Sequence, residues 1–268
     1  MLSPGIKNSL FKTLSAVLAL NFLSVTNSRS QVLKRPIPGH LVVLTFDDAP
    51  RSDYTLVAPI LKKYGFEATF FVCEFPPDFN DTTKYMTWDQ IKALNRMGFE
   101  IGNHTWKHTN VDQMNTAQFT AQMEYIENKC KALNIPKPVS FAYPAWKTAP
   151  YVLGDLKHMG YLFARQGGNR PYFPGSDHPY LIPSFNVAGN DTAVFYKAMR
   201  LSAAGNIIVL TFHGIPDLDH AWVSTPPDIF ESYMRYLYKN KYRVISLVEL
   251  RKYIRVEQAI DHIIPDFN

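Results

Sequence analysis

Apolar residues along the chain fall into short runs separated by amphipathic segments, and this alternation continues from residue 41 to the carboxyl terminus. Short apolar runs rich in β-branched and aromatic residues predict buried strands, and the amphipathic segments between them predict helices. The predicted strands span residues 41–46, 68–73, 99–102, 139–143, 161–164, 207–212 and 243–247. Strand and helix patterns that alternate with short connections indicate parallel strands covered by helices.

Local signals mark where two of these helices begin. Thr87 with Gln90, and Ser246 with Glu249, fit the capping box. In that motif a hydroxyl and a side chain three residues later satisfy free amides of the first helical turn. Residues 166–187 differ from the rest because they are rich in Gly, Pro, Asn and aromatic residues, so we predict a long irregular insertion there.

Three of the predicted strands end in polar side chains suited to chemistry. Asp47 and Asp48 follow the first strand, His104 follows the third, and His213 follows the sixth. In parallel α/β folds the loops at the carboxyl ends of the strands converge on one face, where functional residues lie. A chain of 268 residues is also ordinary for one such domain. The pattern therefore predicts a single α/β domain with its site at the carboxyl ends of the strands.

The amino-terminal segment has the pattern of a targeting sequence. Lys7 and Lys12 precede an apolar stretch over residues 14–25, and the small residues Ser28 and Ser30 follow it. This pattern predicts a cleaved signal peptide over residues 1–30 and a linker over residues 31–38. The stretch is too short for a stable membrane span, so we expect none after processing; an uncleaved anchor is the alternative. The expected location is secreted, periplasmic or at the cell envelope.

Composition and charge limit the possible partners. Hydrophobic residues make up 46% of the chain and charged residues 19%, as in globular proteins. Loss of residues 1–30 would remove three basic residues and no acidic residue, which lowers the net charge from +5 to +2. So small an excess of positive charge gives no support for a nucleic-acid partner. The oligomeric state is not predicted.

The two cysteines of the chain, Cys73 and Cys130, allow two interpretations. In an exported protein they could form a disulfide. Each also lies in an apolar or helical pattern, where a free cysteine behaves as a small buried hydrophobic residue. Both alternatives remain open from the sequence.

The polar residues at the strand ends suggest a metal site. Asp47 and Asp48 are adjacent, and strand alternation would send their side chains in different directions, so we expect different roles for them. His104 and His108 are four residues apart. On a helical turn this spacing would place both imidazoles on one face, at adjacent positions around one ion. Each pair alone is a weak signal, but together with His213 they indicate a metal-dependent enzyme.

These motifs resemble those of the polysaccharide deacetylase family, which has the NodB homology domain and forms carbohydrate esterase family 4. Four blocks match in order, and the resemblance covers roughly residues 39–255. The blocks are Thr45-Phe46-Asp47-Asp48-Ala49-Pro50, His104-Thr105-Trp106-Lys107-His108, Phe141-Ala142-Tyr143-Pro144-Ala145-Trp146 and Leu210-Thr211-Phe212-His213-Gly214. The resemblance implies a distorted (β/α) barrel of about seven parallel strands, with residues 39–268 as the catalytic domain.

The resemblance also implies a role for each site residue. Asp48, His104 and His108 would hold a divalent metal, Zn²⁺ in first place, with Co²⁺ or another divalent ion possible. Asp47 would be the general base and His213 the general acid. Tyr143, Pro144, Ala145 and Trp146 would contact the substrate, with the backbone N–H of Ala145 facing the oxyanion.

The sequence departs from the family pattern at three places. Ala49 replaces the usual glycine of the first block, and we expect little effect if its φ is negative. Ala142 replaces the third-block arginine that orients the base aspartate, and the Asp of the fourth block is not recognisable. Asp191 and Arg165 are the candidate substitutes.

The resemblance implies hydrolysis of N-acetyl groups in a polysaccharide containing N-acetylglucosamine. Alternatives on the same fold are an O-acetyl xylan esterase and a cyclic-amide hydrolase; a third is a non-catalytic glycan-binding relative. An acetylated glycan is the expected partner. The aromatic residues that could stack on sugar rings are Trp146, Tyr172, Phe173 and Trp222. The remaining histidines, including His220, are interpreted as surface residues rather than ligands.

Overall fold

Eight parallel strands form the centre of the protein in the computed structural model, which describes residues 32–217 and 219–267. The strands are β1 (Leu41–Phe46), β2 (Thr69–Val72), β3 (Glu100–Asn103), β4 (Ser140–Ala142), β5 (Phe163–Arg165), β6 (Phe185–Asn186), β7 (Ile208–Phe212) and β8 (Arg243–Ile245). Every pairing between them is parallel. The predicted signal peptide lies outside the described residues.

Seven of the strands follow one another in the order β5-β4-β3-β2-β1-β7-β6, and β8 pairs with the first half of β1. The sheet curls so that β5 and β6 are the two ends of this path. The prediction of a distorted (β/α) barrel of about seven parallel strands is therefore confirmed. The alternation of apolar runs and amphipathic segments predicts this class of fold, because parallel strands that are buried on both faces must be covered by helices.

Helices connect the strands and cover the outside of the barrel. The α-helices are α1 (Ala58–Tyr64), α2 (Trp88–Arg96), α3 (Thr116–Ala132), α4 (Pro150–His158), α5 (Ala193–Leu201), α6 (Pro227–Lys239) and α7 (Val256–His262). The predicted capping box at Thr87 and Gln90 begins α2, with both of its hydrogen bonds formed. A second capping box, at Asn115 and Gln118, begins α3 and is not among the predicted signals.

The predicted capping box at Ser246 and Glu249 is wrong. The segment forms a short 3₁₀ helix, Val248–Lys252, without a side-chain cap. Its first amides bond to side chains at the amino ends of the barrel strands instead. The N–H of Leu247 donates to Thr69 Oγ1 at 2.8 Å, and the N–H of Val248 donates to Glu100 Oε2 at 2.9 Å. Tertiary partners here replace the local cap.

The segment 166–187 is less irregular than predicted, because it contains β6. This strand has only two residues, and they pair with Leu210 and Thr211 of β7. A two-residue strand leaves no alternation that a sequence pattern could reveal. The other predicted strands are found, with ends that differ by one or two residues.

Apolar side chains from the strands and the surrounding helices fill the core. All six positions of β1 are buried, since β1 lies in the middle of the sheet. The ring of Phe46 stacks on Phe70 of β2 at 5.0 Å and on Phe212 of β7 at 5.6 Å between centroids. Cys73 and Cys130 are both buried free thiols, so the second of the two interpretations holds.

Residues of the predicted linker pack on the amino end of the barrel. Val32 and Ile37 are buried in the core beside β1. The N–H of Lys34 donates to the carbonyl of Tyr253 at 2.7 Å, and that of Arg255 donates to Val32 at 2.8 Å. The division of the chain at residues 30 and 38 stays a prediction. Within residues 32–217 and 219–267, no helix is both long and apolar enough to cross a membrane.

Candidate active site

Asp47 and Asp48 leave the carboxyl end of β1 in different directions. The N–H of Asp47 still donates to the carbonyl of Phe212 at 3.0 Å, which continues the pairing of β1 with β7. Asp48 has φ +73° and Ala49 has φ +52°, so the backbone turns sharply after Asp47. The condition under which we expect little effect of Ala49, a negative φ, is therefore not met. A left-handed conformation costs a non-glycine residue about 1–2 kcal/mol, which the surrounding structure must offset.

His104 and His108 lie in the loop after β3, and their approach differs from the predicted helical turn. The segment between them is not helical, and Thr105 has φ +63° while His108 has φ +54°. These two left-handed residues fold the loop back, which brings the two imidazole centroids within 4.8 Å of each other. The spacing of four residues therefore identifies two histidines that do lie together, but the loop conformation brings them together and not a helical turn.

Asp48, His104 and His108 form a cluster suited to one metal ion. Asp48 Oδ1 lies 3.5 Å from His104 Nε2 and 3.5 Å from His108 Nε2. One ligand atom from each of the three residues lies within 4.8 Å of the others. Ligands about 2.1 Å from a tetrahedral zinc ion are separated by about 3.4 Å, so these separations fit such an ion.

The ring orientation of His104 supports the same interpretation. Its Nδ1 lies 2.8 Å from the carbonyl oxygen of Ala142, a distance at which Nδ1–H donates. In the neutral ring that bond leaves Nε2 without a proton and facing the cluster, as in metal-binding histidines held by an outer hydrogen bond. The site thus contains two nitrogens and one carboxylate oxygen, a donor set that zinc accepts.

Burial and mutual charge shift the pKa values of all three residues. Burial alone would raise the pKa of Asp48, but the histidines around it hold that pKa well below its usual range. For His104, burial opposes the positive charge, yet Asp47 and Asp48 raise its pKa overall. Burial and the neighbouring His104 lower the pKa of His108 to about 4. A carboxylate and at least one neutral imidazole are therefore available at neutral pH, as metal ligation requires.

Asp47 has a different partner, the guanidinium of Arg165. Arg165 Nη2 donates to Asp47 Oδ2 at 2.6 Å, and both side chains are almost fully buried. Arg165 is the cross-strand neighbour of Ala142, since β4 and β5 pair these two residues in register. The arginine missing from the third block is thus replaced by one on the adjacent strand. Asp191, the other candidate, is exposed and accepts a bond from the N–H of Ala193.

His213 directly follows β7, which pairs with β1 on the side opposite β2. Its Nε2 is 3.9 Å from Asp47 Oδ2 and 4.0 Å from Asp48 Oδ2. Its Nδ1 is buried and has no hydrogen-bond partner among the described residues, in keeping with the unrecognised fourth-block Asp. Gly214 next to it must lack a side chain, because a Cβ there would collide with Asp217 in the following turn.

One cavity of about 510 Å³ at the carboxyl ends of the strands is lined by Asp47, Asp48, His104, His108 and His213. Of the predicted substrate-binding residues, Tyr143, Ala145 and Trp146 form part of its wall, and Pro144 is buried behind it. Ala145 has φ +49° and Trp146 has φ +57°. The indole of Trp146 packs so closely on Gly167 that a Cβ at that glycine would lie 3.1 Å from Trp146 Cγ.

Two of the four predicted aromatic residues reach this cavity. Trp146 and Trp222 line it, whereas Tyr172 is buried in the core and Phe173 is exposed elsewhere. Trp222 is 74% exposed, an unusual position for so large an apolar side chain. Its ring meets that of His220 edge to face, with centroids 5.3 Å apart.

Sequence reasoning missed Asn186 and His220 as cavity residues. Asn186 lines the cavity from β6, and its Oδ1 is buried without a hydrogen-bond partner among the described residues. His220 Nδ1 lies 3.2 Å from Asp217 Oδ2, so the carboxylate fixes the ring beside Trp222. Neither residue belongs to a recognisable block, and only the path of the loops brings them to the site.

The curled parallel barrel and the His-His-Asp cluster at its mouth define the class of protein, an α/β-barrel hydrolase with a candidate metal centre. Residues 34–164 match the family model described as "Polysaccharide deacetylase". The family predicted from the motifs is therefore confirmed for residues 34–164. The match contains the first three blocks; Arg165 and His213 lie beyond it.

Curated relatives agree with this assignment. The chain is 33% identical over 211 residues to a "Bifunctional xylanase/deacetylase" of Pseudobutyrivibrio xylanivorans, which covers 78% of this chain and 30% of the relative. It is 27% identical over 167 residues to a "Chitin deacetylase" of Colletotrichum lindemuthianum, which covers 56% of this chain and 64% of the relative. The chain thus spans less than two thirds of the length of either relative.

A solved structure shares the fold. The Xyl-CE4 domain of a multidomain xylanase from the hindgut metagenome of Trinervitermes trinervoides superposes with a TM-score of 0.57 at 22% identity. The superposition covers 80% of this chain and 90% of that domain. At this identity the likeness shows the barrel architecture and nothing about substrate.

Proposed function

We propose that the protein is a metal-dependent hydrolase that removes N-acetyl groups from a polysaccharide containing N-acetylglucosamine. Peptidoglycan, a chitin-like glycan or an exopolysaccharide would be the substrate. The observation that carries this proposal is a second carboxylate, Asp47, beside the cluster of Asp48, His104 and His108. Asp47 Oδ1 is buried and has no hydrogen-bond partner among the described residues, so it has a free lone pair for a proton.

The chain offers a ligand set and separate proton-transfer groups. Asp48, His104 and His108 would hold Zn²⁺ or a similar divalent ion, which would polarise the acetyl carbonyl and make water more acidic. Asp47 accepts a proton from the attacking water at Oδ1 while Arg165 holds its other oxygen. The attack on the acetyl carbon makes the carbonyl oxygen negative, and the N–H of Ala145 donates to that oxygen.

The final step requires an acid next to the departing nitrogen. His213 lies 3.9 Å from Asp47 and lines the same cavity. As the carbon–nitrogen bond breaks, His213 donates a proton to the nitrogen, which leaves as the free amine of the sugar while acetate remains. The base and the acid are thus separate groups on β1 and β7. This division keeps a proton acceptor and a proton donor available in one turnover.

An O-acetyl esterase that acts on xylan is the second candidate. It is favoured by the similarity to the Pseudobutyrivibrio xylanivorans protein, whose name includes a xylanase. Both reactions use the same attack on an acetyl carbonyl, and they differ in whether an amine or an alcohol leaves. The walls around Trp146, Asn186 and Trp222 would decide which glycan fits.

Acetate release distinguishes these proposals. The purified protein, loaded with Zn²⁺ or Co²⁺, is incubated with N-acetylglucosamine oligomers, with peptidoglycan and with acetylated xylan. We expect acetate from the first two substrates. Release from xylan alone would establish the esterase, and no release from any substrate by a metal-loaded protein would overturn the catalytic proposal.

Two conservative variants separate catalysis from metal binding. Asp47→Asn should lower turnover by at least roughly 100-fold and keep the metal, because it removes the base and no ligand. Asp48→Asn should lose most of its metal affinity, because it removes a ligand. Near-normal turnover by Asp47→Asn would show that another group is the base.

A further inference from the structure

The loop that carries His104 and His108 is held in a strained conformation. Thr105 and His108 have φ values of +63° and +54°. Each left-handed residue of this kind costs about 1–2 kcal/mol and persists only where contacts from elsewhere fix it. A separate structural element must therefore hold the loop in place.

Glu74 makes this contact. It lies two residues after the end of β2, the strand that pairs with β3. The N–H of Glu74 donates to the carbonyl of Trp106 at 2.6 Å, and Glu74 Oε2 accepts from Trp106 Nε1 at 3.1 Å. Main chain and side chain of Trp106, midway between the two histidines, are thus both fixed by one residue.

The carboxylate of Glu74 is itself fixed by the covering helices. Its Oε1 accepts from Trp88 Nε1 at 2.8 Å, at the start of α2. Its Oε2 also accepts from the hydroxyl of Tyr125 in α3 at 2.8 Å. Burial and the bond to Glu74 raise the pKa of Tyr125 to about 12, so this hydroxyl keeps its proton and donates. Three hydrogen-bond donors therefore converge on this carboxylate, and the ammonium of Lys129 lies 3.9 Å from its Oε1.

The ring of Trp106 is enclosed as well. It stacks on Tyr125 with centroids 4.2 Å apart and 17° between the planes. The ammonium of Lys107 lies 4.2 Å from the ring of Trp106. The N–H of Lys107 donates to Gln122 Oε1 of α3 at 2.9 Å. The loop is thus attached to α3 through both Trp106 and Lys107.

We propose that Glu74 is a positioning residue that sets the metal affinity of the site by fixing the histidine loop through Trp106. Glu74 does not line the cavity, so it touches neither substrate nor metal. A carboxylate suits this role because all three partners are donors and an ionised group makes the strongest bonds to them. Glutamine would place an NH₂ against at least one N–H or O–H donor and leave it unpaired.

The test compares two tryptophans that donate to the same carboxylate. Trp106→Phe and Trp88→Phe each remove one indole N–H from Glu74, but only Trp106 belongs to the histidine loop. The dissociation constants for Zn²⁺ and Co²⁺ are measured on the full chain by competition with a chelator. We expect Trp106→Phe to weaken binding roughly 10-fold and Trp88→Phe less than twofold.

Glu74→Gln should weaken metal binding at least as much as Trp106→Phe. The matched control is Glu100→Gln, since Glu100 also accepts from side-chain hydroxyls, Thr69 Oγ1 at 2.6 Å and Ser140 Oγ at 2.5 Å, and lies at the amino end of β3, away from the loop. It should keep full metal affinity. The visible absorption of bound Co²⁺ should change in Glu74→Gln and stay unchanged in Glu100→Gln, because the spectrum reports ligand geometry rather than stability. If Glu74→Gln does not fold, the tryptophan pair decides.

Because the inference rests on the proposed function, its failure must be distinguishable from failure of that function. If the unmodified protein binds no divalent metal at Asp48, His104 and His108, the proposed function fails. If it binds metal and Trp106→Phe binds equally well, the positioning role of Glu74 is wrong while the function stands. Equal weakening by Trp88→Phe and Trp106→Phe would also overturn it, since the carboxylate would then act on the fold in general.

Discussion

At the scale of single residues, the most informative position is Ala142. The third-block arginine of the family is absent there, yet a guanidinium still reaches Asp47 from Arg165, the residue paired with Ala142 across the β4–β5 ladder. A short side chain at 142 leaves room for the long side chain at 165 to cross. In this protein the guanidinium reaches Asp47 Oδ2 from the strand next to the one that carries Ala142.

Arg165→Lys tests whether the guanidinium on β5 orients Asp47. Lysine keeps the positive charge but loses the planar fork, so the orientation of Asp47 Oδ2 should change. We expect kcat to fall roughly 10- to 100-fold, with metal affinity within twofold of the original protein. Removing the charge altogether, as in Arg165→Met, would leave a buried carboxylate unpaired at a cost of about 3–5 kcal/mol.

The control for this prediction is Arg170→Lys. Arg170 also pairs with a carboxylate, Asp177 at 2.7 Å, but its side chain is half exposed and outside the cavity. This variant should keep its kcat. An unchanged kcat in Arg165→Lys as well would mean that the guanidinium does not tune the base.

At the scale of elements, the loop after β7 builds one wall of the cavity. Asp217 accepts from the N–H of His220 at 2.8 Å and lies 3.2 Å from its Nδ1, which fixes the imidazole next to Trp222. Phe75, from the loop after β2, lies 6.4 Å from the ring of His220. Loops from two strands therefore form an aromatic surface of the kind that stacks on sugar rings.

Trp222→Ala should raise KM for a glycan oligomer and leave kcat unchanged. Stacking of this kind contributes about 0.5–1.5 kcal/mol, which corresponds to roughly 2- to 12-fold in KM. Steady-state kinetics with the best substrate of the acetate screen measures both constants. Phe173→Ala is the control, because Phe173 is also an exposed aromatic residue and does not line the cavity. A fall in kcat with constant KM would place Trp222 in the chemical step instead.

At the scale of the whole molecule, the hydrogen bonds to Glu100 and the candidate active site lie at opposite ends of the barrel. The site occupies the carboxyl ends of the strands, whereas Glu100 starts β3 at the amino end. Glu100 Oε1 accepts from Ser140 Oγ of β4, and Oε2 accepts from Thr69 Oγ1 of β2 at 2.6 Å and from the N–H of Val248 at 2.9 Å. One carboxylate thus connects β2, β3, β4 and the turn after β8.

Glu100→Ala should lower stability without changing the site. It leaves three buried donors without their acceptor, and we expect a loss of roughly 3 kcal/mol in the free energy of unfolding. For a domain of this size that is a fall of roughly 10 °C in Tm. Thermal unfolding measures the change, and metal affinity should stay within twofold.

Glu231→Ala serves as the comparison for Glu100→Ala. Glu231 pairs with Lys63 at 2.6 Å on the exposed face of α6, where solvent screens the charges. Its Tm should not change measurably. If Glu100→Ala weakened metal binding, the amino and carboxyl ends of the barrel would be coupled.

The sequence by itself determined the barrel and the motif residues at its mouth. Apolar runs are local, and buried parallel strands need continuous apolar side chains, so the strand pattern is visible without the fold. The proposed ligands Asp48, His104 and His108 come from compact motifs directly after two strands, and the structure brings all three together.

Only the tertiary structure decided how these residues are held. Arg165 and Asp47 are 118 residues apart, and their contact depends on strand register, which no local pattern specifies. The bond that Trp106 donates to Glu74, and the bonds that three other segments donate to Glu100, also depend on the tertiary structure. A buried charge must pair with a group that the packing brings close to it, because burial of an unpaired charge costs free energy. The proposed ligands are therefore recognisable from local sequence motifs, whereas the contacts that hold them in place depend on the tertiary structure.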